Sequence, residues 1–519
     1  MSSGDVPNRA VPLPDEPLAE TGPASTARGR PGGTVLALLA VILLVGAALR
    51  FYGLGIQSLW IDEMWTWHTA SRADTLRGLL TTGTLPRDVH PPLYFVMHYF
   101  LQKHVGDTEA ILRLPSAVAG VASILVIYLL GRRLYSDREG LIAAALMAVL
   151  QHPIRYSQEA RAYSMLLLFS MLSVYFLIDV VRCLCRGEPL RPGSVVGYMI
   201  SVVVLSYLHY YGLYLAGFQA LAASVVLLLR RRRMLPLLWL LLVPVVLVYI
   251  PWLGNMLRSL GATHVHPDPP EPLAFVRWLG FQFSPPWHAK WVAFAVYAWL
   301  LGITLYDALR KKSPPGTEPA TPCAGVMLLL WLVIPFVLVH VQAAFWRSTY
   351  SHRNMIICTA AAYLLVARGI ARIPVRPVLH AVITVLIAAA LVGQLVFVVR
   401  YYSRPLKDQY REAVAYVVEN EAKYPNSMIV GWRCPPGYYD YYFEKLGSSR
   451  RVEMWSGPSD RGFRVLAGAQ VRRPEYIWII TGHWEFPAPF EALMRDRFSV
   501  IAHKRFWGAE ALFMKNDRR

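Results

Sequence analysis

Ser58-Leu59-Trp60-Ile61-Asp62-Glu63 and His90-Pro91-Pro92-Leu93-Tyr94 mark the two ends of the stretch, Gln57 to Tyr94, on which the reading of this chain turns. The first sets two adjacent carboxylates among aromatic residues. The second sets an imidazole before a double proline and an apolar run. Both follow the first long apolar segment, Thr34 to Leu49, which is itself preceded by Arg28 and Arg30. A secretory signal peptide has the same order of charge and apolar run. Here the segment leads straight into the acidic stretch without a small-residue cleavage site, so it reads as a retained helix running from inside to outside. Residues 1–33, rich in Pro, Ala, Gly and Ser, lack the apolar surface needed to fold and are expected to form a disordered cytoplasmic tail.

The 519 residues are 55% hydrophobic and only 16% charged, against about 25% charged in a soluble chain; a polytopic membrane protein is the expectation. The formal net charge of +19 does not indicate nucleic acid, because Arg and Lys gather in short clusters between apolar runs, as in cytoplasmic loops. None of the five cysteines has zinc-ligand spacing, and only Cys434 falls in the part expected outside, so a disulfide framework is not expected.

Topology rests on residues 93–105. That run is apolar but interrupted by His98, Gln102 and Lys103, and it falls short of the roughly 20 residues a span requires. It is read as a helix lying at the interface. Crossings are then expected at 34–49, 111–130, 140–154, 163–181, 194–209, 212–229, 235–251, 289–309, 325–341, 355–371 and 377–399, about eleven in all. This choice places Arg132/Arg133, Arg182/Arg186/Arg191, Arg230 to Arg233, Arg310/Lys311/Lys312 and Arg368/Arg372/Arg376 on one side, the cytoplasmic one. Had 93–105 crossed, all five clusters would lie outside. The opposite side receives Asp62/Glu63, His90, Tyr156 to Tyr163, His209-Tyr210-Tyr211, the loop around His264 and His266, and Tyr350 to Arg353. Costly polar groups gathered at one end of a helix bundle mark a functional cavity. From Tyr401 the pattern changes: a helical period over Asp408–Tyr424 and strand-like runs at 427–432, 476–481, 497–503 and 510–515 predict an external soluble α/β domain over 401–519.

Each candidate has a plain alternative. Asp62 and Glu63 are either solvated charges beside an aromatic belt of Trp60 and Trp65, or a general base for an acceptor hydroxyl. Asp62, with Glu159, also suits a divalent metal (Mg, Mn or Zn) that neutralises a departing phosphate. His90 is either part of a proline-forced turn or a phosphate or metal contact. Glu159 and Arg161, two apart, do not face each other on a helix; Arg161 suits bidentate phosphate binding and Glu159 suits sugar hydroxyls or a metal. Tyr163, His209 and Tyr210 are common interface residues that also suit a substrate pocket. Arg353 opens a helix from outside and suits a phosphate. The loop of His264, His266 and Pro267 to Pro272 reads as a mobile cover, with no third metal ligand nearby.

Taken together, the Trp60-x-Asp62-Glu63 stretch, His90-Pro91-Pro92-Leu93-Tyr94, Arg113-Leu114-Pro115-Ser116 with Gly120, Gly131-Arg132-Arg133-Leu134, Tyr156-Ser157-Gln158-Glu159-Ala160-Arg161 and Arg353 resemble the C-type (GT-C) glycosyltransferases over residues 35–400. The nearest groups are the dolichyl-phosphate-mannose protein mannosyltransferases and their bacterial relatives, including the lipid A aminoarabinose transferase and rhizobial lipopolysaccharide glycosyltransferases. The resemblance implies a GT-C membrane domain over 34–400, a polyprenyl-phosphate sugar donor and inverting transfer, outside the cytoplasmic membrane, to an unidentified envelope acceptor. It carries the base or acceptor-orienting role to Asp62, with Glu63 beside it, and a donor-phosphate contact to His90. The second acidic position maps to Glu159, where several relatives have Asp, and the late arginine to Arg353, followed here by Asn354-Met355 rather than Tyr-Leu. The C-terminal domain lacks the β-trefoil repeats of eukaryotic protein mannosyltransferases, so protein Ser/Thr as acceptor does not follow. The rivals are a lipid or sugar transporter, which predicts ionisable groups at mid-membrane and paired half-repeats, and a non-catalytic assembly subunit. Membrane lipids are expected partners and nucleic acid is not.

Overall fold

The computed structural model describes residues 31–83, 85–88, 90–260, 273–283, 324–345, 348–432, 436–456, 474–482 and 498–517, with Glu271 and a few single positions between 295 and 302. Most of the N-terminal tail, the loop carrying His264, His266 and Pro267 to Pro272, and most of the crossing expected at 289–309 lie outside them.

Seven helical stretches among the described residues are long and apolar enough to cross a bilayer: Gly33–Phe51, Glu109–Leu134, Tyr163–Arg186, Tyr210–Ser259, Ala324–Phe345, Asn354–Ala371 and Val378–Val398. The expected count of about eleven differs for physical reasons. Tyr210–Ser259 holds two of the expected crossings, the helices Tyr210–Arg231 and Leu235–Leu260, joined by a 3-10 turn at Arg232–Met234. The crossings expected at 140–154 and 194–209 are the shorter helices Asp137–Val149 and Pro192–Leu208. In chain order the helices are α1 Gly33–Phe51, α2 Ile61–Ser71, α3 Leu76–Thr81, α4 Leu93–His104, α5 Glu109–Leu134, α6 Asp137–Val149, α7 Gln151–Ser157, α8 Tyr163–Arg186, α9 Pro192–Leu208, α10 Tyr210–Arg231, α11 Leu235–Leu260, α12 Ala274–Phe283, α13 Ala324–Phe345, α14 Thr359–Ala371 and α15 Pro377–Gly393. The helix α4 has 12 residues, about 18 Å at 1.5 Å per residue, too short for the ~30 Å hydrocarbon layer. With α2 and α3 it makes the loop between α1 and α5 a layer of short helices.

Two devices fix the bundle. At one end, basic residues pair across helices: Arg368 of α14 with Glu139 of α6 at 2.6 Å, Arg132 of α5 with Asp137 at 2.9 Å, and Arg133 with Asp179 of α8. Clusters that the sequence showed only as positive loops thus also brace the helix ends. At the opposite end, Arg50 is fully buried at the last turn of α1 and donates to the carbonyls of Gly46, Ala148 and Met147 at 3.0, 2.9 and 2.7 Å. The last two belong to the C-terminal turn of α6, whose free carbonyls need such a donor. At the first of these ends α5 and α6 touch backbone to backbone: a Cβ on Gly140 would lie 2.7 Å from the carbonyl of Tyr128, and one on Gly131 would lie 2.8 Å from Gly140 Cα.

The C-terminal part adds α16 Tyr410–Glu421, β1 Met428–Trp432, α17 Pro436–Lys445, β2 Met454–Ser456, β3 Tyr476–Gly482, β4 Phe498–Phe506 and β5 Ala509–Asn516. The sheet order is β2-β1-β3-β5-β4, with β1 parallel to β2 and β3, and β5 antiparallel to β3 and β4. The expected helix and four expected strands are all present; β2 and α17, too short for a clear period, were not read. This part is not a separate body on a linker. Leu59, Met64 and Trp67 share one hydrophobic core with Tyr410, Val414 and Trp478.

Because the α5–α6 contact is made by backbone, it has no side chain to move aside. Gly140→Val is expected to cost at least about 2 kcal/mol, seen as a lower midpoint of thermal unfolding in detergent, while alanine at the open position Gly217 leaves the midpoint within about 0.5–1 kcal/mol equivalent, the interior-glycine propensity term.

Candidate active site

Helix α2 begins where Trp60 leaves the extended region (φ −96°, ψ 173°) and places Asp62 and Glu63 in the first turn, where the helix dipole favours negative charge. The two carboxylates then part company. Glu63 is 0% exposed and every lone-pair direction is used. Its Oε1 accepts from Arg113 Nε at 2.7 Å and Ala160 N at 2.8 Å; its Oε2 accepts from Arg113 Nη2 at 2.8 Å, Lys407 Nζ at 3.0 Å and Trp60 N at 3.3 Å. Arg113 spends its remaining hydrogens on the carbonyls of Leu54, Gln57 and Ser58 at 2.8, 2.8 and 3.0 Å. Burial by itself would raise the Glu63 pKa, but Arg113 and Lys407 hold it down at about 2. Glu63, expected as a catalytic partner of Asp62, is therefore corrected to a structural anion: a saturated, sealed carboxylate has no lone pair for a substrate proton.

Asp62 is 32% exposed. Its Oδ2 accepts from Arg353 Nη1 at 2.7 Å, and that guanidinium lies 4.3 Å from the ring centre of Trp60. Oδ1 has no hydrogen-bond partner among the described residues. Beside it, buried Arg161 meets neutral acceptors only: His90 Nε2 at 3.0 Å, Thr66 Oγ1 at 3.4 Å and the Asp62 carbonyl at 3.5 Å. Among the described residues no carboxylate lies within ion-pair distance of it. Asp88 accepts from His90 Nδ1 at 2.6 Å and from the His90 backbone at 2.9 Å, and from Trp65 Nε1. Burial opposes ionisation of Asp88, yet the adjacent His90 lowers its pKa. With Nδ1–H given to Asp88, Nε2 of His90 is the lone pair that receives Arg161. The histidine expected as a phosphate cation is thus arranged as a neutral acceptor that aims Arg161, a second use compatible with a substrate nearby.

The other expected residues divide. Glu159 is buried, accepts from Arg155 Nε at 3.3 Å through Oε1, and keeps Oε2 without a hydrogen-bond partner among the described residues. The Tyr163 ring lies 6.1 Å from that of His209, tilted by 40°, and the His209 ring is 6.0 Å from that of His90. His209 caps α10, its Nδ1 accepting from Tyr211 N at 3.2 Å, and burial with His90 and Arg161 nearby pushes its pKa down to about 3, so it stays neutral. Tyr210 does not join the group: its hydroxyl sits 3.4 Å from Ser259 in a cluster with Tyr249 and Trp252, because consecutive residues at a helix start point to different faces. Asp62 and Glu159, the pair expected to hold a divalent ion, are each paired with an arginine through one oxygen, and among the described residues no group of three or more His, Cys, Asp or Glu comes together.

Four contributors escaped the sequence reading. Asp88 stood two residues before His90, a local signal that was available. Arg113 was noticed within its motif but without a partner. Arg155 and Lys407 carried no local signal; with Gln151, Gln158 and Tyr401 they line a cavity of ≈100 Å³ next to Arg113.

The Glu63 pKa makes a signed prediction. Its value falls from 4.5 to about 2 on folding, so its contribution is complete above 4.5 and is lost as pH drops through 2. About 3 kcal/mol of stability should disappear across that window. Arg113→Met, which strands the carboxylate, should cost roughly 3–5 kcal/mol at neutral pH. Thermal unfolding of both proteins from pH 7 to below pH 2 checks sign and size.

Residues 89–254 match the family model of dolichyl-phosphate-mannose-protein mannosyltransferase. No curated protein matches the chain in sequence. Among solved structures, ArnT from Cupriavidus metallidurans in the apo state superposes with TM-score 0.60 at 13% identity, covering 93% of this chain and 98% of ArnT. The same ArnT bound to undecaprenyl phosphate gives 0.55 with the same identity and coverage. The archaeal oligosaccharyltransferase AglB from Archaeoglobus fulgidus, in complex with an inhibitory peptide and a dolichol-phosphate, gives 0.52 at 12% identity over 92% of this chain and 74% of AglB. Residues 89–254 thus carry the pattern of that family model, and the architecture of this chain is similar to that of ArnT over nearly the whole length of both.

Proposed function

We propose that the protein transfers a hexosyl or pentosyl group from a polyprenyl-phosphate-linked donor to a cell-envelope acceptor, a glycolipid, polysaccharide or protein, by a single inverting displacement. The observation that carries this reading is the pairing, at the start of α2, of a half-exposed carboxylate with a buried guanidinium that has no carboxylate partner among the described residues. Asp62 Oδ1 takes the proton of the acceptor hydroxyl as its oxygen attacks the anomeric carbon. The bond from that carbon to the phosphate oxygen breaks, and the electron pair leaves on the lipid phosphate. Arg161, with Arg353 and the His90 that orients Arg161, stabilises the charge that develops there. Glu159 and Tyr163 line the sugar position, where the unused Oε2 of Glu159 accepts from a hydroxyl. His209 contributes shape and its Nε2–H.

The lipid carrier is supported by ArnT bound to undecaprenyl phosphate and AglB bound to a dolichol-phosphate. An amphiphilic donor suits a bundle whose outer helix faces are apolar and whose polar groups gather at one end. The five basic clusters favour a cytoplasmic-membrane protein with its N-terminus inside and its C-terminal domain outside. No specific observation favours the transporter or the non-catalytic reading.

Purified Asp62→Asn, given a polyprenyl-phosphate sugar and envelope extract, should lose about 10²–10⁴-fold in kcat; full retention of transfer would overturn the base role. Arg161→Met should weaken both donor binding and kcat, since it removes a contact to the donor phosphate that strengthens as charge develops there in the transition state. Mass spectrometry of envelope glycans from a deletion strain identifies the sugar and acceptor by what is missing.

A further inference from the structure

We infer that Lys407 is a positioning residue: from the entry to the C-terminal domain it locks Glu63, and so makes the order of the helix that carries Asp62 depend on that domain. The ammonium is inserted where the rest of the interface does not demand one. Leu406 N donates to Gln57 Oε1 at 3.0 Å, the Asp408 carbonyl accepts from Ser58 Oγ at 3.0 Å, and Leu59 N donates to the hydroxyl of Tyr442 at 2.5 Å. These bonds already lay residues 406–408 along residues 57–59. An apolar side chain at 407 would complete that packing at no cost in desolvated charge. Instead Lys407 is 11% exposed and reaches Glu63 Oε2 at 3.0 Å and the Gln158 carbonyl at 2.8 Å.

The two contacts join three elements. Glu63 sits one residue from Asp62, and the Gln158 carbonyl begins the turn that leads to Glu159 and Arg161. Arg113 already balances Glu63 in charge, so the lysine's contribution is geometric: it takes the direction on Oε2 that Arg113 leaves open and fixes the rotation of the carboxylate. With Glu63 clamped from both sides, the first turn of α2 has one arrangement in which Asp62 reaches Arg353 and Arg161 reaches His90.

Burial, with Arg113 beside it, lowers the Lys407 pKa from 10.5 to about 8, against the pull of Glu63 and Glu159. The groups facing the ammonium are Glu63 on α2, Arg113 on α5 and Glu159 in the turn before α8. As pH rises through 8 the folded protein loses this proton and the lock loosens. Between about 8 and 10.5 the unfolded chain would hold the proton, so linkage raises global stability over that window. A structural role alone would not separate activity from stability in this way.

The test uses the full chain with Lys407→Met and Lys407→Arg. Hydrogen exchange at pH 7 should accelerate across residues 57–72 in Lys407→Met, with β3 and β5 unchanged, and should be restored in Lys407→Arg. In the transfer assay Lys407→Met should lose about tenfold in kcat, the scale of a displaced catalytic group, with the donor KM within about twofold. The wild type should lose kcat as pH rises through 8 without a falling thermal midpoint, and Lys407→Arg should lack that limb. Unchanged exchange at 57–72 overturns the lock whatever the kinetics; wild-type kcat in Lys407→Met, or an alkaline limb unchanged in Lys407→Arg, overturns its effect on Asp62. The kinetic arm rests on the proposed transfer reaction. Should the wild type transfer nothing, that reaction fails while the exchange arm still decides the lock.

Discussion

A carboxylate sealed from water must be matched donor for donor, and at Glu63 this requirement organises the surroundings. Isolated, such an anion would protonate or unfold its helix. Here α5 supplies Arg113, the turn before α8 supplies the Ala160 amide, and the approach to the C-terminal domain supplies Lys407. Arg113 in turn satisfies three carbonyls of the segment leaving α1. Three regions distant in sequence are thereby held to one side chain, and the geometry of Asp62 follows from its position next door.

Arginines meet carboxylates at both ends of the helix bundle, Arg113 and Arg155 among them at the end that carries Asp62, but Arg161 stands apart. At the end with the positive clusters, Arg368, Arg132 and Arg133 each meet a carboxylate and brace neighbouring helices. At the other end Arg50 caps a helix, Arg353 is shared between Asp62 and the face of Trp60, and Arg161 is held by neutral acceptors alone. A guanidinium surrounded by neutral acceptors keeps its field for an anion that arrives, whereas one in a tight ion pair has spent it. That contrast separates the arginines of the fold from the arginine of the candidate site better than their positions in the loops do.

Much of this was legible beforehand. Apolar run lengths located a helix at each expected crossing within the described residues, and the 12 residues of α4 agree with the reading that 93–105 is too short to span. Asp62, His90, Arg161 and Arg353, scattered over nearly 300 positions of the chain, do come together. What misled was adjacency. Asp62 and Glu63 look interchangeable in the sequence, but neighbours on a helix are turned about 100° apart, so one faces the open side and the other the core. Tyr210 failed for the same reason beside His209. Lys407 gave no local sign, because its meaning depends on a carboxylate 344 residues away.

By itself the sequence determined the largely helical, apolar class of molecule, the helix positions and the set of polar groups that fall near helix ends, since each depends on composition and spacing over a few turns. Only the tertiary structure decided which carboxylate keeps an open oxygen, which arginine has no carboxylate within ion-pair distance among the described residues, and that the C-terminal part shares a core with the helix that carries Asp62. Those outcomes depend on burial and on donors contributed from afar, and the electrostatic character of a side chain is set by the groups that surround it in space.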